Sequence, residues 1–320
     1  MKTSIAMATY NGEKYILEQL ESFVRQTKLP DELVISDDNS MDKTIEIIKK
    51  FQEYAPFPIK IYKNNKNLGY TQNFNRALEH CSNELIFLSD QDDVWFDNKI
   101  EYMVKLAKEY PKKDLFMNDA ELVNEKLETS NLTKLEQIKN AGFQENHFVM
   151  GCCIAVRKSY LDMILPIPDG FKGHDEWLVR LADVLELRLI DKKVLQYYRR
   201  HGENESQAVY NSLIKVKLQK VSLYEKIIAW LQFSKKDFYR GMLVHKTFFI
   251  QGVERLRKHP LYTQKTEKHL AQLQKDMEYI QQRYAILSTT QITERLHKAF
   301  LFYQSGRYGL KSFISDLIRK

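Results

Sequence analysis

The chain has 320 residues, of which 43% are hydrophobic; this is enough for one substantial α/β domain with a smaller appendage, and it excludes a disordered chain. No apolar run reaches the roughly 20 residues of a membrane-spanning helix, and we find no signal-peptide pattern, so we expect a cytoplasmic protein. The 3 cysteines lack Cys-x-x-Cys spacing, which excludes a disulfide framework and a zinc site.

The charges are distributed unevenly along the chain. Residues 205–320 contain 21 Lys and Arg against 9 Asp and Glu, a net charge of +12, whereas residues 1–204 have a net charge of −5. A basic segment of this size is typical of proteins that contact an anionic membrane, nucleic acid or an acidic substrate. Because no nucleic-acid recognition motif accompanies the charge, we favour a membrane surface and expect no nucleic-acid partner.

The first part of the chain alternates short β-branched runs with helical patterns, which predicts a parallel sheet with helices on its faces. In chain order, the predicted elements are strand 4–8, helix 12–26, strand 33–36, helix 42–54, strand 59–62, helix 71–80 and strand 85–88. The next part predicts strand 115–117, a loop-rich stretch up to 146, strand 152–156, helix 174–185 and strand 188–190. We therefore predict an α/β domain over 1–204 and a basic, mainly α-helical region over 205–320.

Polar residues follow three of the predicted strands. They are Thr9-Tyr10-Asn11 after the first strand, Asp37-Asp38-Asn39-Ser40 after the second and Asp90-Gln91-Asp92-Asp93 after the fourth. In open α/β sheets, ligands bind in the crevice beyond the carboxyl ends of the strands. We therefore expect these three segments to converge on one binding site.

The acidic cluster suggests a metal site. Asp90, Asp92 and Asp93 follow the apolar strand 85–88, and carboxylates crowded at a strand end repel one another unless a cation offsets their charge. Mg²⁺ and Mn²⁺ prefer oxygen ligands and commonly bind one or two carboxylates together with substrate phosphates. The competing interpretation is a solvated acidic turn, which we consider the less favoured because the strand before it is buried.

The two acids after the second strand have two interpretations. Asp37 or Asp38 could accept a hydrogen bond from the imide N–H of uracil or thymine, which would select those bases. Alternatively, residues 37–40 only form a turn and cap the next helix. Both interpretations can hold together, with Asn39 and Ser40 serving the turn.

A third acid, Asp175, stands where a loop enters the predicted helix 174–185. The helix dipole favours an ionised carboxylate there, and such a carboxylate can act as a base toward an acceptor hydroxyl. The alternative role for Asp175 is that of helix N-cap. After the last predicted strand, Arg199 or Arg200 could neutralise diphosphate oxygens, and His201 could complete a metal shell.

Other nucleotide and hydrolase motifs are absent from the sequence. There is no G-x-G-x-x-G and no G-x-x-x-x-G-K-[ST], so NAD and P-loop chemistry are disfavoured. Neither Cys152 nor Cys153 has an evident activating neighbour in sequence, and no Ser-His-Asp arrangement is supported.

These motifs together resemble those of glycosyltransferase family 2, an inverting family with the GT-A fold, and they run in the family's order across residues 3–204. They are Thr9-Tyr10-Asn11-Gly12, Asp37-Asp38-Asn39-Ser40 with Asp42, Asn67-Leu68-Gly69 with Asn73, Asp90-Gln91-Asp92-Asp93-Val94-Trp95, Gly151-Cys152, His174-Asp175-Glu176-Trp177 and Tyr198-Arg199-Arg200-His201-Gly202. Within the family, the set is similar to bacterial enzymes that build capsule, O-antigen and wall polysaccharides, including rhamnosyltransferases.

The resemblance implies a role for each motif. The nucleotide sugar would be bound by Thr9, Tyr10, Asn11, Asp37, Asp38, Asn73, Asp90, Asp92, Arg199 and Arg200. Asp92 or Asp93, with His201, would hold a divalent metal, Mn²⁺ or Mg²⁺, and Asp175 would be the base. Candidates for the acceptor side are Gly151, Cys152, His174, Glu176 and Trp177. One departure is that many members have Glu-Asp where this chain has His174-Asp175.

The resulting expectation is an inverting glycosyltransferase with a GT-A catalytic domain. It would use a UDP- or dTDP-sugar and a glycan acceptor, which by family resemblance is often lipid-linked at the inner face of the membrane. Two alternatives stay open. A sugar-1-phosphate nucleotidyltransferase is disfavoured because it needs a Gly-rich, basic N-terminal loop to hold a triphosphate, whereas residues 8–14 contain one Gly and one Lys. The other alternative is a non-catalytic scaffold with a relic donor pocket. A receiver-like phosphorylation domain would explain only Asp37 and Asp38.

Overall fold

The computed structural model describes residues 1–202, 211–216 and 234–318. The chain divides into two compact units, Met1–Leu218 and Gln219–Lys320. The boundary predicted after residue 204 lies outside the described residues. None of the helices in the described ranges combines the length and the hydropathy needed to cross a lipid bilayer.

The first unit is built on one mixed β-sheet. Its strands are β1 (Thr3–Thr9), β2 (Glu32–Asp37), β3 (Ile59–Lys63), β4 (Leu85–Ser89), β5 (Val94–Trp95), β6 (Leu115–Val123), β7 (Thr129–Thr133), β8 (Ile154–Arg157) and β9 (Arg188–Arg199). Their order is β3-β2-β1-β4-β8-β6-β9-β5, and β7 pairs with β6. The pairs among β1 to β4 are parallel, whereas β8 is antiparallel to both β4 and β6.

Helices cover both faces of this sheet. They are α1 (Ile16–Val24), α2 (Thr44–Gln52), α3 (Tyr70–Glu79), α4 (Lys99–Glu109), α5 (Lys134–Asn140), α6 (Lys158–Ile164) and α7 (His174–Val184). On one face, Ile5 and Phe87 pack in a core with α1, α2 and α4. Their neighbours in sequence, Ala6 and Ile86, point to the other face and are buried too. The α/β architecture predicted from the sequence is therefore confirmed.

The prediction of a loop-rich stretch up to residue 146 is wrong. It contains the second half of β6, all of β7 and α5. The strand β7 is polar and pairs only at the edge of the sheet, so it carries no apolar alternation. The helix α5 begins with a capping box in which the Thr133 side chain accepts from the Glu136 backbone and the Glu136 side chain accepts from the Thr133 backbone.

The second unit is helical in its described residues, which confirms the prediction for the C-terminal part. Its helices are α8 (Lys235–Arg257), α9 (Thr263–Ser288), α10 (Ile292–Gln304) and α11 (Leu310–Ile318). The carboxylate of Asp316 is fully buried and accepts from Arg283 at 2.7 and 2.9 Å and from Tyr308 at 2.5 Å. This charge-assisted network joins α9, α11 and the turn between α10 and α11.

In the first unit, Glu32 ties three strands together. Its carboxylate is 3% exposed and accepts from Ser4 Oγ at 2.6 Å, from Ser82 N at 2.7 Å and from Lys60 Nζ at 2.7 Å. Burial by itself raises the pKa of Glu32, but the hydrogen bonds from Lys60, Ser4 and Ser82 outweigh it and lower the pKa to about 2. The ionised form of Glu32 therefore stabilises the fold.

We predict that Glu32→Gln lowers the free energy of unfolding at pH 7 by about 2 to 3 kcal/mol, because one pKa unit corresponds to about 1.4 kcal/mol. Because folding lowers the pKa of Glu32, its ionised carboxylate stabilises the protein fully at pH values above the ordinary pKa of 4.5. This stabilisation is lost as the pH falls through about 2. The difference between wild type and variant should therefore shrink between these two pH values. Urea denaturation followed by tryptophan fluorescence measures it.

The matched control is Glu46→Gln. Glu46 pairs with Lys50 at 2.8 Å, but both side chains are more than half exposed. An exposed pair of this kind contributes little to stability because water and salt screen it, so this variant should unfold almost like the wild type. A loss in Glu32→Gln that is the same at pH 7 and at pH 2.5 would contradict the assignment.

Candidate active site

The loops that follow β1, β2 and β4 meet the end of β9 and the start of α7 around one cavity of about 1130 Å³. Most of the residues predicted from the sequence line it: Thr9, Tyr10, Asn11, Asp38, Asn73, Asp90, Asp92, Gly151, His174, Asp175, Glu176 and His201. The expected convergence of the three strand ends is therefore present in the structure.

Asp37 lies beneath the cavity and does not line it. It is fully buried, and its carboxylate accepts from Thr9 Oγ1 at 2.9 Å and from Ser40 Oγ at 2.6 Å. Ser40 Oγ also accepts from the Asn11 backbone at 2.9 Å. The bonds that involve Thr9 and Asn11 fix the loops after β1 and β2 to each other. Residues 37–40 form a turn through the bonds from Ser40 to Asp37, but they do not cap α2, whose N-cap is Lys43.

Asp38 organises the next part of the wall. Its carboxylate accepts from the backbone of Leu68 at 2.7 Å and of Gly69 at 2.9 Å, and from the Asn64 amide at 2.8 Å. A carboxylate has about four acceptor positions, so one more donor can be accommodated. Asn73 donates to the Thr9 carbonyl at 3.1 Å, which holds α3 against the end of β1.

Gln91 joins the loop after β4 that contains Asp90, Asp92 and Asp93, here called the acidic loop, to the loop after β1. Its side chain accepts from the Tyr10 backbone N–H and donates to the Tyr10 carbonyl, each at 2.9 Å. A Cβ atom on Gly12 would lie 2.2 Å from Gln91 Oε1, so this approach requires glycine. Sequence reasoning gave Gln91 no role because the signal in Asp-Gln-Asp comes from the acids.

The acids of the cluster have different environments. Asp92 lines the cavity, and its Oδ2 lies 2.8 Å from Nε2 of His201. Asp93 is fully buried, and it accepts from the Gln196 amide at 3.0 Å and from the Arg199 backbone at 3.3 Å. Burial, and next the charges of Asp93 and Asp92, raise the pKa of Asp90 well above its ordinary value.

This crowding is chemically suited to a cation. Burial and the charge of Asp92 raise the pKa of Asp93 to about 7, so the cluster resists full ionisation by itself. Ligand atoms of Asp90, Asp93 and Cys152 lie within 4.8 Å of one another. Burial raises the pKa of the Cys152 thiol well above its ordinary value, and hard divalent cations prefer oxygen, so the carboxylates are the better ligands. Asp93 is turned inward toward Gln196, so Asp90 and Asp92 are the carboxylates that face the cavity, and their oxygens fit Mg²⁺ or Mn²⁺.

Besides Asp37 and Asp93, four other predicted site residues do not line the cavity. They are Cys152, Trp177, Arg199 and Arg200. The Trp177 ring is fully buried, and its indole N–H donates to the Ile164 carbonyl at 3.1 Å.

The two arginines have protein partners close to the site. Arg199 is 3% exposed, donates to the carbonyls of Asp92 at 2.8 Å and Glu125 at 2.7 Å, and forms an ion pair with Glu18. Arg200 donates to the Tyr198 hydroxyl at 3.3 Å. Arg199 thus fastens the acidic loop to the end of β9.

The loop that precedes α7 and Asp175 is attached to α3. The N-cap of α7 is Gly173, in the left-handed region with φ of 98°, so the alternative of Asp175 as N-cap is wrong. The Gly173 N–H donates to Thr71 Oγ1 at 2.9 Å. Asp175 therefore lies in the first turn of the helix, with its side chain on the cavity.

Several cavity residues were not predicted, and the cations among them are Lys14, Lys134, Lys172 and Arg180. Lys134 begins α5, and burial lowers its pKa to about 7. The Thr-x-x-Glu capping box at 133–136 could have indicated this helix. The cations themselves come from four separate segments, so no local pattern could have grouped them.

The comparisons with known proteins agree with this geometry. The sequence profile described as "Glycosyl transferase family 2" matches residues 4–165. The dTDP-rhamnosyl transferase RfbG of Shigella flexneri is 30% identical over 236 residues, which cover 68% of this chain and 78% of that protein. The uncharacterized glycosyltransferase MJ1057 of Methanocaldococcus jannaschii is 27% identical, over 77% of this chain and 84% of that protein.

A solved structure extends the comparison to the fold. S. aureus TarS 1-349 in complex with UDP-GlcNAc matches with a TM-score of 0.58 and 19% identity, over 99% of this chain and 82% of that one. The sheet and its site thus define a GT-A fold. The chain belongs to glycosyl transferase family 2 and is a glycosyltransferase, which confirms the family resemblance read from its motifs.

We predict that Gly12→Ala weakens the binding of the nucleotide-sugar donor by roughly tenfold. The added Cβ displaces the Gln91 side chain and removes both of its bonds to Tyr10, each of which contributes about 0.5 to 1.5 kcal/mol. Isothermal titration calorimetry measures the effect.

Two further variants make this test specific. Gln91→Ala should reproduce the loss, and the double variant should be no weaker than either single one, because both changes break the same contact. Gly241→Ala is the control, since no atom of the described residues lies within 4 Å of its added Cβ. Additive losses in the double variant would count against the Gln91 contact.

Proposed function

We propose that this enzyme transfers a sugar, with inversion, from a UDP- or dTDP-sugar to a hydroxyl of a glycan acceptor. One observation carries the proposal: Asp38, the Asp92–His201 pair and Asp175 line the same cavity. Two comparisons support the donor class, since RfbG is described as a dTDP-rhamnosyl transferase and TarS is seen with UDP-GlcNAc. The synthesis of a bacterial envelope polysaccharide, with a lipid-linked acceptor, follows as the proposed setting.

We assign the nucleotide to the wall formed by Thr9, Asp38 and Asn73. Asp38 is 2% exposed and has acceptor capacity left for an imide N–H, which uracil and thymine share. The remaining end of the cavity is left for the sugars. It is lined by segment 138–151 and the start of α7.

We propose that Asp92 and His201 hold the divalent metal. Both line the cavity and their ligand atoms touch at 2.8 Å, whereas Asp93 is turned inward toward Gln196. A bound Mg²⁺ or Mn²⁺ would offset the charge that develops on the leaving diphosphate. The protein's part is to keep these ligands aligned, and Arg199 does so by binding the Asp92 carbonyl.

The first test is a donor panel. With Mn²⁺ or Mg²⁺, the protein should release a nucleoside diphosphate from UDP- or dTDP-sugars when an acceptor glycan is added, and EDTA or Asp92→Ala should reduce turnover by orders of magnitude. Full activity in EDTA would refute metal dependence. Release of pyrophosphate from UTP or dTTP with a sugar 1-phosphate would instead indicate a nucleotidyltransferase, and no turnover with any donor would support a scaffold.

The proposed base is Asp175. Its carboxylate takes the proton of the acceptor hydroxyl while the hydroxyl oxygen bonds to the anomeric carbon, and the bond from that carbon to the diphosphate oxygen breaks. The transition state is oxocarbenium-like, as in glycosyl chemistry generally. This single displacement inverts the anomeric configuration.

We expect Asp175→Asn to lower kcat by about 10² to 10⁴, the usual contribution of a general base, while the affinity for the sugar nucleotide stays within about twofold. Single-turnover kinetics and calorimetry separate the two quantities. Asp169→Asn, an exposed acid in the preceding loop that does not line the cavity, is the control. Equal losses of donor affinity and rate would instead assign Asp175 to donor or metal binding.

We also propose that the second unit attaches the enzyme reversibly to an anionic membrane. In α10, Ile292, Leu296 and Phe300 are 70%, 44% and 49% exposed, and their spacing of four residues places them on one helix face. They lie in the part of the chain with a net charge of +12. Apolar side chains together with nearby cations are typical of helices that lie in a membrane interface.

Replacing both Leu296 and Phe300 by Glu should abolish co-sedimentation with phosphatidylglycerol-containing vesicles at low salt, because it charges the apolar face. Gln274→Glu with Gln281→Glu adds the same charge at exposed positions of α9 and should weaken binding only slightly. High salt should weaken the wild type as well. Equal binding of wild type and the α10 variant, or no binding of the wild type at low salt, would refute the proposal.

A further inference from the structure

His174 is buried without the hydrogen bonds that a buried imidazole needs. It is 6% exposed and lines the cavity, yet neither ring nitrogen has a hydrogen-bond partner among the described residues. A buried polar atom without a partner destabilises the folded state, and native proteins contain few of them. His174 therefore needs an explanation that its packing alone does not give.

The ring is held in place by packing. It stacks on Phe74 at 3.9 Å between centroids, with an angle of 23°, and it makes an edge-to-face contact with Tyr70 at 6.0 Å between centroids. A Cβ atom added at residue 151 would lie 2.4 Å from Nε2 of His174, so the ring can take this position only because residue 151 is glycine. The backbone before His174 is fixed by the bond from Gly173 to Thr71. The imidazole is thus preorganised by its neighbours.

The chemistry of this imidazole selects its ligand. Burial lowers the pKa of His174, whereas the neighbouring charge of Asp175 acts to raise it. A neutral imidazole has one N–H donor and one nitrogen acceptor. A sugar hydroxyl is likewise both donor and acceptor, whereas a diphosphate offers acceptors only. The match is therefore to a hydroxyl.

We propose that His174 hydrogen-bonds a hydroxyl of a sugar bound in the cavity and is a specificity-determining residue of this enzyme. This inference rests on the proposed glycosyl transfer and deepens it. The hydroxyl belongs either to the transferred sugar or to the acceptor sugar, and both would lie beside Asp175. A site built to bind a hydroxyl rejects a sugar that lacks it, because its own polar atoms then stay unpaired.

Three substitutions test the proposal. His174→Leu removes both nitrogens at similar volume, His174→Gln keeps a polar group near Nε2, and His174→Asn keeps one near Nδ1. The leucine variant should lower kcat/KM by about 10- to 100-fold, and one of the two amides should restore part of it. The affinity for UDP or dTDP alone, measured by calorimetry, should not change.

Stability separates this role from a structural one. Leucine removes two unpaired polar atoms, so the Tm of the variant should equal or exceed that of the wild type. A structural histidine would behave oppositely, with a lower Tm and a rate that follows the folded fraction. If the leucine variant does not fold, the glutamine and asparagine variants decide: equal loss in both, with lowered Tm, overturns the proposal.

The source of the hydroxyl is found by comparing intact donors with nucleotides. If it belongs to the transferred sugar, His174→Leu weakens UDP-GlcNAc or dTDP-rhamnose relative to UDP or dTDP and slows acceptor-free hydrolysis. If it belongs to the acceptor, both stay unchanged and the KM for the acceptor rises. Wild-type transfer and hydrolysis rates in the leucine variant would overturn the inference, whereas a wild type inactive with every sugar nucleotide would overturn the proposed function and this inference with it.

Discussion

The arrangement of the site depends on one buried cation beneath the acidic loop. Lys99 is fully buried and donates to the Cys152 carbonyl at 2.9 Å and to the side chain of Gln196, which in turn donates to Asp93 at 3.0 Å. Burial lowers the pKa of Lys99 to about 8, and the nearby thiols and the acids Asp93 and Asp90 act to raise it. The charge of Lys99 acts to lower the pKa of Asp93 and so offsets part of the repulsion among the buried carboxylates after β4.

From this anchor the site is assembled by contacts to backbone atoms. Gln91 binds the Tyr10 backbone on one side of the acidic loop, and Arg199 binds the Asp92 carbonyl on the other. His201 then meets Asp92 because β9 ends there. Because Gln91 binds the backbone of Tyr10, it fixes the loop after β1 without engaging the Tyr10 side chain, which lines the cavity.

The sequence predicted the positions of site residues that follow strand ends, but it did not predict the positions of residues that are held by partners distant in the sequence. Asp38 and Asp92 follow buried strands, and the parallel order of β1, β2 and β4 brings such ends to one edge. Arg199 has the right chemistry for a diphosphate, but its partners lie far away in sequence and bind it beneath the cavity. Trp177 follows the acidic motif directly, yet helical geometry turns it toward the core. The polar sequence on either side of Lys134 forms the strand β7 and the helix α5, and the strand was not predicted because an edge strand needs no apolar alternation.

The position of His174 follows from the same balance between packing and polar groups. Its unpaired nitrogens lower the stability of the fold, and this cost persists because Phe74 and Gly151 leave the ring no other position. A bound hydroxyl would pair with the imidazole and remove this destabilisation, whereas a sugar without the hydroxyl would leave the nitrogens unpaired. The discrimination then comes from the penalty on the wrong sugar more than from the strength of one hydrogen bond. Because His174 precedes Asp175 in the same helix turn, recognition of the sugar and alignment of Asp175, the proposed base, would be coupled through one short, well-packed segment.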